Sequence, residues 1–144
     1  MEREGYSITT DTTFFNLDYI HNFLANSYWA ENISIETVQK SIENSLCFGV
    51  FHLGKQIGFA RMITDKATFG YLADVFIDEA YRGQGLSKWL MEEIMNHPDL
   101  QNFRRIMLAT CDAHGLYAQF GFTPLTHTER WMHIHQPDVY KASS

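Results

Sequence analysis

Apolar residues recur along the chain at two spacings, one typical of helices and the other of strands. Segments 16–29 and 34–45 place them three or four positions apart, which predicts two amphipathic helices. Asn16 and Ser34 precede these patterns and are suited to cap them. The apolar positions are Leu17, Ile20, Phe23, Leu24, Ile35, Val38 and Ile42.

Shorter apolar runs with turn signals between them predict strands. The expected strands are 6–10, 46–53, 56–63, 68–77, 104–110 and 129–135. Gly54-Lys55 and Asp65-Lys66 are expected to turn the chain between neighbouring strands.

Two further helices are expected in the second half of the chain. One follows Gly85, carries Leu86, Trp89, Leu90 and Ile94 on its apolar face, and ends at His97-Pro98. The other covers 112–122, begins at an N-cap Asp112 and stops at Gly121. The order of elements predicts an α/β (α+β) fold, a single domain over 1–144 with a mixed, mainly antiparallel sheet flanked by helices.

Composition and charge narrow the functional classes. The 144 residues are 45% hydrophobic and 19% charged, which suits one globular core. A net charge of −6 argues against nucleic acid and anionic membranes as partners. No signal peptide or membrane-length apolar stretch is apparent, so we expect a cytoplasmic protein. Cys47 and Cys111 lie in apolar stretches and are expected to be buried free thiols.

A histidine pair near the end of the chain raises the question of a metal site. His133 and His135 share one face of the expected last strand, with His127 nearby. A metal site needs a third ligand with defined geometry, and no carboxylate stands at a telling spacing. A polar strand face is the preferred interpretation, and no metal is expected.

The stretch Tyr81–Leu90, "YRGQGLSKWL", carries the main functional signal. Gly83 and Gly85 leave the backbone bare between the cations of Arg82 and Lys88, at the start of a helix where unpaired N–H groups attract anions. The spacing differs from the P-loop and lacks the third glycine of the dinucleotide fingerprint. A simple glycine turn with a helix cap stays open on this spacing alone.

Two motifs together resemble the GNAT N-acetyltransferase superfamily. The first is Arg82-x-x-Gly85-x-Ser87, which follows the strand "YLADVFI" and is similar to the family's acyl-CoA pyrophosphate loop. The second is "AHGLYAQFGF" at 113–122, which is similar to the family's C-terminal signature.

The resemblance implies acetyl-CoA as acyl donor, held on backbone groups of one strand and of the glycine loop. The cofactor-binding residues it implies are Val75, Phe76, Ile77, Arg82, Gly83, Gln84, Gly85, Leu86, Ser87, Lys88, Thr110 and Asp112. Two of these depart from the family pattern, because Ser87 stands where glycine or alanine is usual and Thr110 where many relatives have asparagine.

The resemblance also implies a catalytic role for Tyr117, which matches the tyrosine that protonates the leaving sulfur in many relatives; packing on the core is the alternative. Asp74 is the second candidate catalytic residue because a carboxylate in mid-strand needs a role: a substrate-amine anchor, a base acting through water, or a structural partner. Arg61 on the third strand could meet either Asp74 or an acidic group of the substrate. Strand alternation is expected to put Leu72, Asp74 and Phe76 on one face.

Tyr28 and Trp29 are expected on the substrate side, as a pocket wall or as core residues under the sheet. We therefore expect an enzyme that acetylates a primary amine of a small molecule or peptide by direct attack. An acyl-CoA-binding sensor or scaffold without turnover is the alternative. A homodimer is left open.

Overall fold

The computed structural model describes residues 2–141, in which six strands form one sheet in chain order. The strands are β1 (Glu2–Arg3), β2 (Tyr6–Thr9), β3 (Leu46–His52), β4 (Lys55–Thr64), β5 (Phe69–Ile77) and β6 (Arg105–Leu108). The helices are α1 (Leu17–Ala25), α2 (Ile35–Glu43), α3 (Leu86–Met95) and α4 (His114–Ala118). None of the described helices combines the length and apolarity that crossing a bilayer requires.

The first two helices begin where their capping residues predict. The Asn16 side chain accepts a hydrogen bond from the Tyr19 N–H, and Ser34 accepts one from the Thr37 N–H. Each bond satisfies an amide that has no partner within the helix. Both helices end earlier than the expected segments 16–29 and 34–45, since the chain leaves α1 at Asn26 and α2 at Asn44.

The sheet is antiparallel from β1 to β5, and β6 joins parallel to β5, which confirms the mixed, mainly antiparallel arrangement. The β3–β4 turn lies one residue earlier than expected, because Leu53 and Gly54 carry the positive φ angles of 49° and 82°. The turn after β4 uses Asp65, whose carboxylate accepts from the amides of residues 67–69.

Helices cover both faces of the sheet. On one face α3 buries Trp89, Leu90 and Ile94 against apolar side chains of β3, β4 and β5. On the other face α1 and α2 pack over Phe59 and Phe76. Phe76 stacks directly on Phe23 of α1, with 3.8 Å between ring centroids. These two layers fix the direction in which each β5 side chain points.

A β-bulge in β5 overturns the expected strand alternation. Phe59 pairs with Phe76 and Arg61 with Ala73, so two residues of β5 oppose the single Ala60. The extra residue shifts the phase of the side chains. Leu72 therefore lies in the α3 core, whereas Phe76 lies in the α1–α2 core on the opposite face.

Three other expectations from the sequence are wrong. Helix α4 begins at His114 after Ala113, so Asp112 is not its N-cap; instead the Thr110 hydroxyl accepts from the Ala113 N–H at 3.1 Å. Cys111 is exposed, although Cys47 is buried as expected. Residues 129–135 form no strand within the described chain, where a 3₁₀ turn at Thr128–Arg130 leads into extended backbone.

Candidate active site

The candidate site lies where β5 and β6 separate. The two parallel strands pair only from Phe69–Arg105 to Leu72–Leu108. Beyond Leu72, β5 runs on to Ile77, while β6 ends at Leu108. The stretch of β5 that includes Val75, Phe76 and Ile77 therefore has no strand on its β6 side among residues 2–141. A splayed parallel pair of this kind offers an unpaired strand edge at the centre of the sheet.

The glycine loop follows β5 directly and starts α3. Gly83 and Gly85 adopt φ angles of 83° and 78°, the left-handed region that favours glycine. Gly85 is the N-cap of α3 and provides no side-chain cap. A Cβ atom at either glycine would meet nothing within 4 Å, so the loop faces open space on this side.

The amides of residues 83–88, here called the amide cradle, are free to bind an anion. The Arg82 N–H donates to the Glu79 carbonyl at 3.3 Å, and the next bonded amide is that of Trp89, which donates to Gly85. Between them, within the described chain, no backbone or side-chain acceptor receives a bond from these six amides. Six adjacent donors at a helix N-terminus carry a partial positive charge that suits phosphate groups.

Two cations flank the amide cradle. Arg82 and Lys88 are exposed, and neither is paired with a carboxylate in the part of the chain that the structure describes. The Arg82 Nε donates to the Ile77 carbonyl at 3.0 Å, which ties the loop to the end of β5. In a protein of net charge −6, this local positive field is what would hold a negative ligand.

A polar and aromatic brace, formed by Tyr6, His52, Tyr81 and Gln84, holds the cradle against the sheet. The Tyr6 hydroxyl donates to Gln84 Oε1 at 3.1 Å, and Gln84 Nε2 donates to the Tyr81 carbonyl. Tyr6 stacks on His52 at 4.4 Å between centroids, and the His52 ring nitrogen lies 3.1 Å from the Tyr81 hydroxyl. Sequence reasoning missed this brace, because no local pattern connects Tyr6 with a residue 78 positions later.

Asp74 lies at the bulge, and both of its carboxylate oxygens accept hydrogen bonds. Its Oδ2 accepts from Arg61 Nε at 2.8 Å, and its Oδ1 accepts from the Trp29 indole N–H at 2.8 Å. Arg61 also donates to the Ser45 hydroxyl. Asp74 has a positive φ of 57°, a conformation that aspartate tolerates better than most residues. The structure thus shows the Arg61 partnership, and the bulge directs the carboxylate to the α1–α2 face.

Tyr28 and Trp29 are not core residues under the sheet, since 70% and 42% of their side chains are exposed. The two rings pack edge to face at 5.1 Å. The neighbouring Cys111 thiol raises the pKa of the Tyr28 hydroxyl. The α1–α2 connection therefore meets the β6–α4 connection at the open end of the splayed strands.

Tyr117 lies on the α3 side of the sheet and is largely buried, 9% exposed. Its ring packs against Phe122 and lines a cleft of about 700 Å³ together with Leu108, Thr110 and His114. Burial raises the pKa of the Tyr117 phenol, and the negative charge of Asp112 raises it further. The phenol therefore keeps its proton at neutral pH.

The structure brings the expected residues together in two groups. One group comprises Ile77 at the end of β5, Leu86 at the start of α3 and Tyr117 of α4, which share the α3 core. The other comprises Asp74, Trp29 and Tyr28, joined by the Trp29–Asp74 hydrogen bond and the packing of the two rings. His133 and His135 stack with 5.9 Å between centroids. No group of three His, Cys, Asp or Glu residues in the described chain is arranged to hold a metal ion.

The sequence and fold of this chain match a known protein family. The model of the acetyltransferase (GNAT) family matches residues 13–122. A crystal structure of an inferred GNAT-family acetyltransferase from Xanthomonas campestris pv. campestris is 46% identical, with a TM-score of 0.93, covering 95% of this chain and 97% of that one. An inferred acetyltransferase of Gibberella zeae is 29% identical over 81% of this chain and 78% of that protein.

A more distantly similar protein has been crystallised with a ligand. An inferred acetyltransferase from Clostridium acetobutylicum, crystallised with acetyl-CoA, is 13% identical and has a TM-score of 0.62, covering 90% of this chain and 94% of that one. At this identity the likeness concerns the fold alone. The family model covers more than half of the chain, and the Xanthomonas structure matches nearly all of it. The chain therefore belongs to the GNAT acetyltransferase family.

Proposed function

We propose that the protein transfers an acetyl group from acetyl-CoA to a primary amine of a small molecule or peptide. The observation that carries this proposal is the amide cradle, six consecutive N–H groups that have no partner among residues 2–141 and that lie in the loop after β5. An anion held at the cradle and an extended amide-bearing chain along β5 are the two features of acetyl-CoA that these surfaces fit.

The residues proposed to hold acetyl-CoA fall into three sets. Gly83, Gln84, Gly85, Leu86, Ser87 and Lys88 offer amides to the pyrophosphate. Arg82 adds charge by its side chain, because its amide is already bonded to Glu79. Val75, Phe76 and Ile77 offer backbone groups, and Thr110 and Asp112 are proposed as further contacts from the connection between β6 and α4. The bound molecule supplies an acyl group activated as a thioester, and positioning is the main contribution of these residues.

Tyr117 is proposed as the proton donor to the leaving sulfur. Its raised pKa keeps the hydroxyl protonated, and its ring shares the α3 core with Ile77 at the end of β5 and Leu86 at the start of α3. General acids of this kind contribute about 10²–10⁴ in rate. A deprotonated phenol could not serve, so the contribution of Tyr117 to turnover should be lost only at alkaline pH, above the usual tyrosine value of about 10.

Asp74 is proposed as an anchor for the acceptor amine, with Tyr28 and Trp29 as the pocket wall. Arg61 and Trp29 each occupy one oxygen of the carboxylate, which favours a positioning role, or action through water, over direct proton abstraction. The exposed aromatic pair stands beside this carboxylate and could contact an amine substrate through its ring faces. A cytoplasmic location also stays a prediction.

The decisive experiment measures CoA release from acetyl-CoA across a panel of amines. Tyr117→Phe should lower kcat by about 10²-fold or more and leave acetyl-CoA affinity unchanged, because the ring and its packing are kept. Tyr140→Phe, which removes a hydroxyl outside the cleft, is the matched control and should behave as wild type.

Two results would contradict the proposal. If no amine releases CoA although acetyl-CoA binds at the cradle, the protein is an acyl-CoA sensor or scaffold. If turnover occurs but Tyr117→Phe retains it, the proton comes from another group.

A further inference from the structure

The hairpin of β1 and β2 brings a third cation, Arg3, to the start of α3. Arg3 and Tyr6 are direct partners across this hairpin, so their side chains lie on the same face of the sheet. The Tyr6 hydroxyl donates to Gln84 Oε1 at 3.1 Å, and the Arg3 guanidinium carbon lies 4.8 Å from the centre of the Trp89 ring. The two side chains therefore contact residues on either side of Gly85, the N-cap of α3.

Trp89 gives this cation a rigid support. The indole is 1% exposed and packs in the α3 core, and the Trp89 backbone N–H donates to the Gly85 carbonyl, which closes the first turn of the helix. Helical side chains lean towards the N-terminus of their helix, which directs the Trp89 ring back over that first turn. A guanidinium above an indole face is held by cation–π attraction, and its N–H edges stay available.

Arg3 has no acidic partner of its own. It is exposed and forms no salt bridge with a carboxylate in the part of the chain that the structure describes. A guanidinium presents its N–H donors as a planar fork, which matches two oxygens of one phosphate. In a protein of net charge −6, a cation fixed on a ring but paired with no carboxylate is suited to a negative ligand.

The charge of CoA exceeds what the amide cradle and its two flanking cations match. Besides the pyrophosphate on the 5′ carbon of its ribose, CoA carries a phosphate monoester on the 3′ carbon. A phosphate monoester has a charge of about −1.5 to −2 at pH 7. Both groups belong to one ribose, so a pyrophosphate at the cradle leaves the 3′-phosphate only a sugar ring away, at the same end of α3.

We propose that Arg3 binds the 3′-phosphate of CoA and makes the protein selective for CoA over 3′-dephospho-CoA. The inference rests on the proposed function, since it takes the pyrophosphate to lie at the amide cradle. Arg82 and Lys88 flank the cradle and serve the pyrophosphate, whereas Arg3 reaches the site from the hairpin. Arg3 is thus a specificity-determining residue outside the glycine loop, supplied by the first strand of the sheet.

Isothermal titration of the intact protein with CoA and with 3′-dephospho-CoA tests this selectivity. The wild type should bind CoA at least about tenfold more tightly, which is the contribution of one hydrogen bond between charged groups. Arg3→Gln should weaken CoA binding by about the same factor and leave the Kd of 3′-dephospho-CoA unchanged. Arg105→Gln is the matched control and should keep both wild-type Kd values, because Arg105 lies 4.5 Å from the Trp131 ring in a second cation–π pair, at the start of β6.

A further variant separates the charge of Arg3 from the integrity of the hairpin. Tyr6→Phe removes the hydrogen bond to Gln84 but keeps Arg3, so it should weaken both ligands by the same factor and preserve the preference for CoA. Loss of the preference in Tyr6→Phe would assign it to the hairpin as a whole and overturn the role of Arg3. The same holds if Arg3→Gln weakens both ligands equally, which is the behaviour of a loosened hairpin.

The wild type alone decides the question if a variant does not fold. Equal Kd values of the wild type for CoA and 3′-dephospho-CoA would show that nothing in the protein recognises the 3′-phosphate. In that case the cradle can still hold the pyrophosphate, and the proposed acetyl transfer is untouched. If neither ligand binds, the proposed function and the role of Arg3 fail together.

Discussion

Two glycines of this chain provide a controlled test of the amide cradle. Gly85 caps α3 with a φ of 78°, and Gly54 turns between β3 and β4 with a φ of 82°. A Cβ atom at either position would meet nothing within 4 Å. Replacing each by leucine therefore imposes a similar backbone strain with no clash at the Cβ atom, and only Gly85→Leu places a side chain at the cradle.

The cost in stability should be the same for both variants. A residue with a Cβ atom in the left-handed region costs about 1–2 kcal/mol. For a domain of this size, that corresponds to a fall in Tm of roughly 3–8 °C. Thermal melts without ligand should show this fall for Gly54→Leu and Gly85→Leu alike.

The cost in affinity should fall on Gly85→Leu alone. A hydrogen bond from an amide to a charged oxygen contributes about 1.5–3 kcal/mol. Loss of one such bond weakens binding by roughly tenfold to 150-fold. Isothermal titration with acetyl-CoA should therefore show at least about a tenfold higher Kd for Gly85→Leu, and the Kd of wild type for Gly54→Leu. Equal Kd values for the two variants would refute the assignment of the cradle to the pyrophosphate.

Three further predictions concern the surroundings of the site. Arg61→Met leaves the nearly buried Asp74 carboxylate without its cation and should destabilise the protein by about 3 kcal/mol in urea unfolding. Asp74→Asn in the same chain should recover part of this loss. If the double variant loses the sum of the two single losses, the pairing is contradicted. Trp29→Phe removes the N–H donor to Asp74 but keeps the ring, so KM for the amine should change more than KM for acetyl-CoA; equal changes would argue against an acceptor site here. Hydrogen bonds from Thr68, Ala67 and Phe69 hold the pKa of Asp65 well below its usual range. Because the pKa is lowered in the folded state, these bonds stabilise the protein above the unfolded-state pKa of about 4. This stabilisation is lost as the pH falls below that value. The Tm difference between wild type and Asp65→Asn should accordingly be largest near neutral pH and shrink in acid, and a difference independent of pH would contradict this role.

Features that depend on a few neighbouring residues could be predicted from the sequence. Asn16 and Ser34 cap their helices because a side-chain oxygen needs only the amide three positions later. Gly85 adopts positive φ where a strand passes into a helix, and the buried face of α3 follows its 3.6-residue period. The order of elements up to residue 122 follows from such local signals, and with it the position of the glycine loop.

Features that depend on distant partners could not be predicted. The bulge that directs Asp74 to the α1–α2 face arises from the pairing of β5 with β4. Regular alternation predicts that Leu72 shares the face of Phe76, whereas the bulge leaves Leu72 on the α3 face. Cys111 lies in an apolar stretch, yet the chain there has already left the sheet and the thiol meets Tyr28 instead. Residues 129–135 have the pattern of a strand, but they pair with no other strand of the described chain, and pairing is what an alternating pattern cannot reveal.

The brace from Tyr6 to Gln84 ties the first strands to the loop that is proposed to bind acetyl-CoA. Strand β2 pairs with only one long strand, β3, and its Tyr6 and Ile8 are only partly buried, so we expect it to loosen without unfolding the protein. Removal of the residues before Tyr6 by a protease, or crowding of them by a fused tag, would then weaken ligand binding from a distance. It would lower acetyl-CoA affinity through the freedom gained by Gln84, while the chemistry at Tyr117 stayed intact.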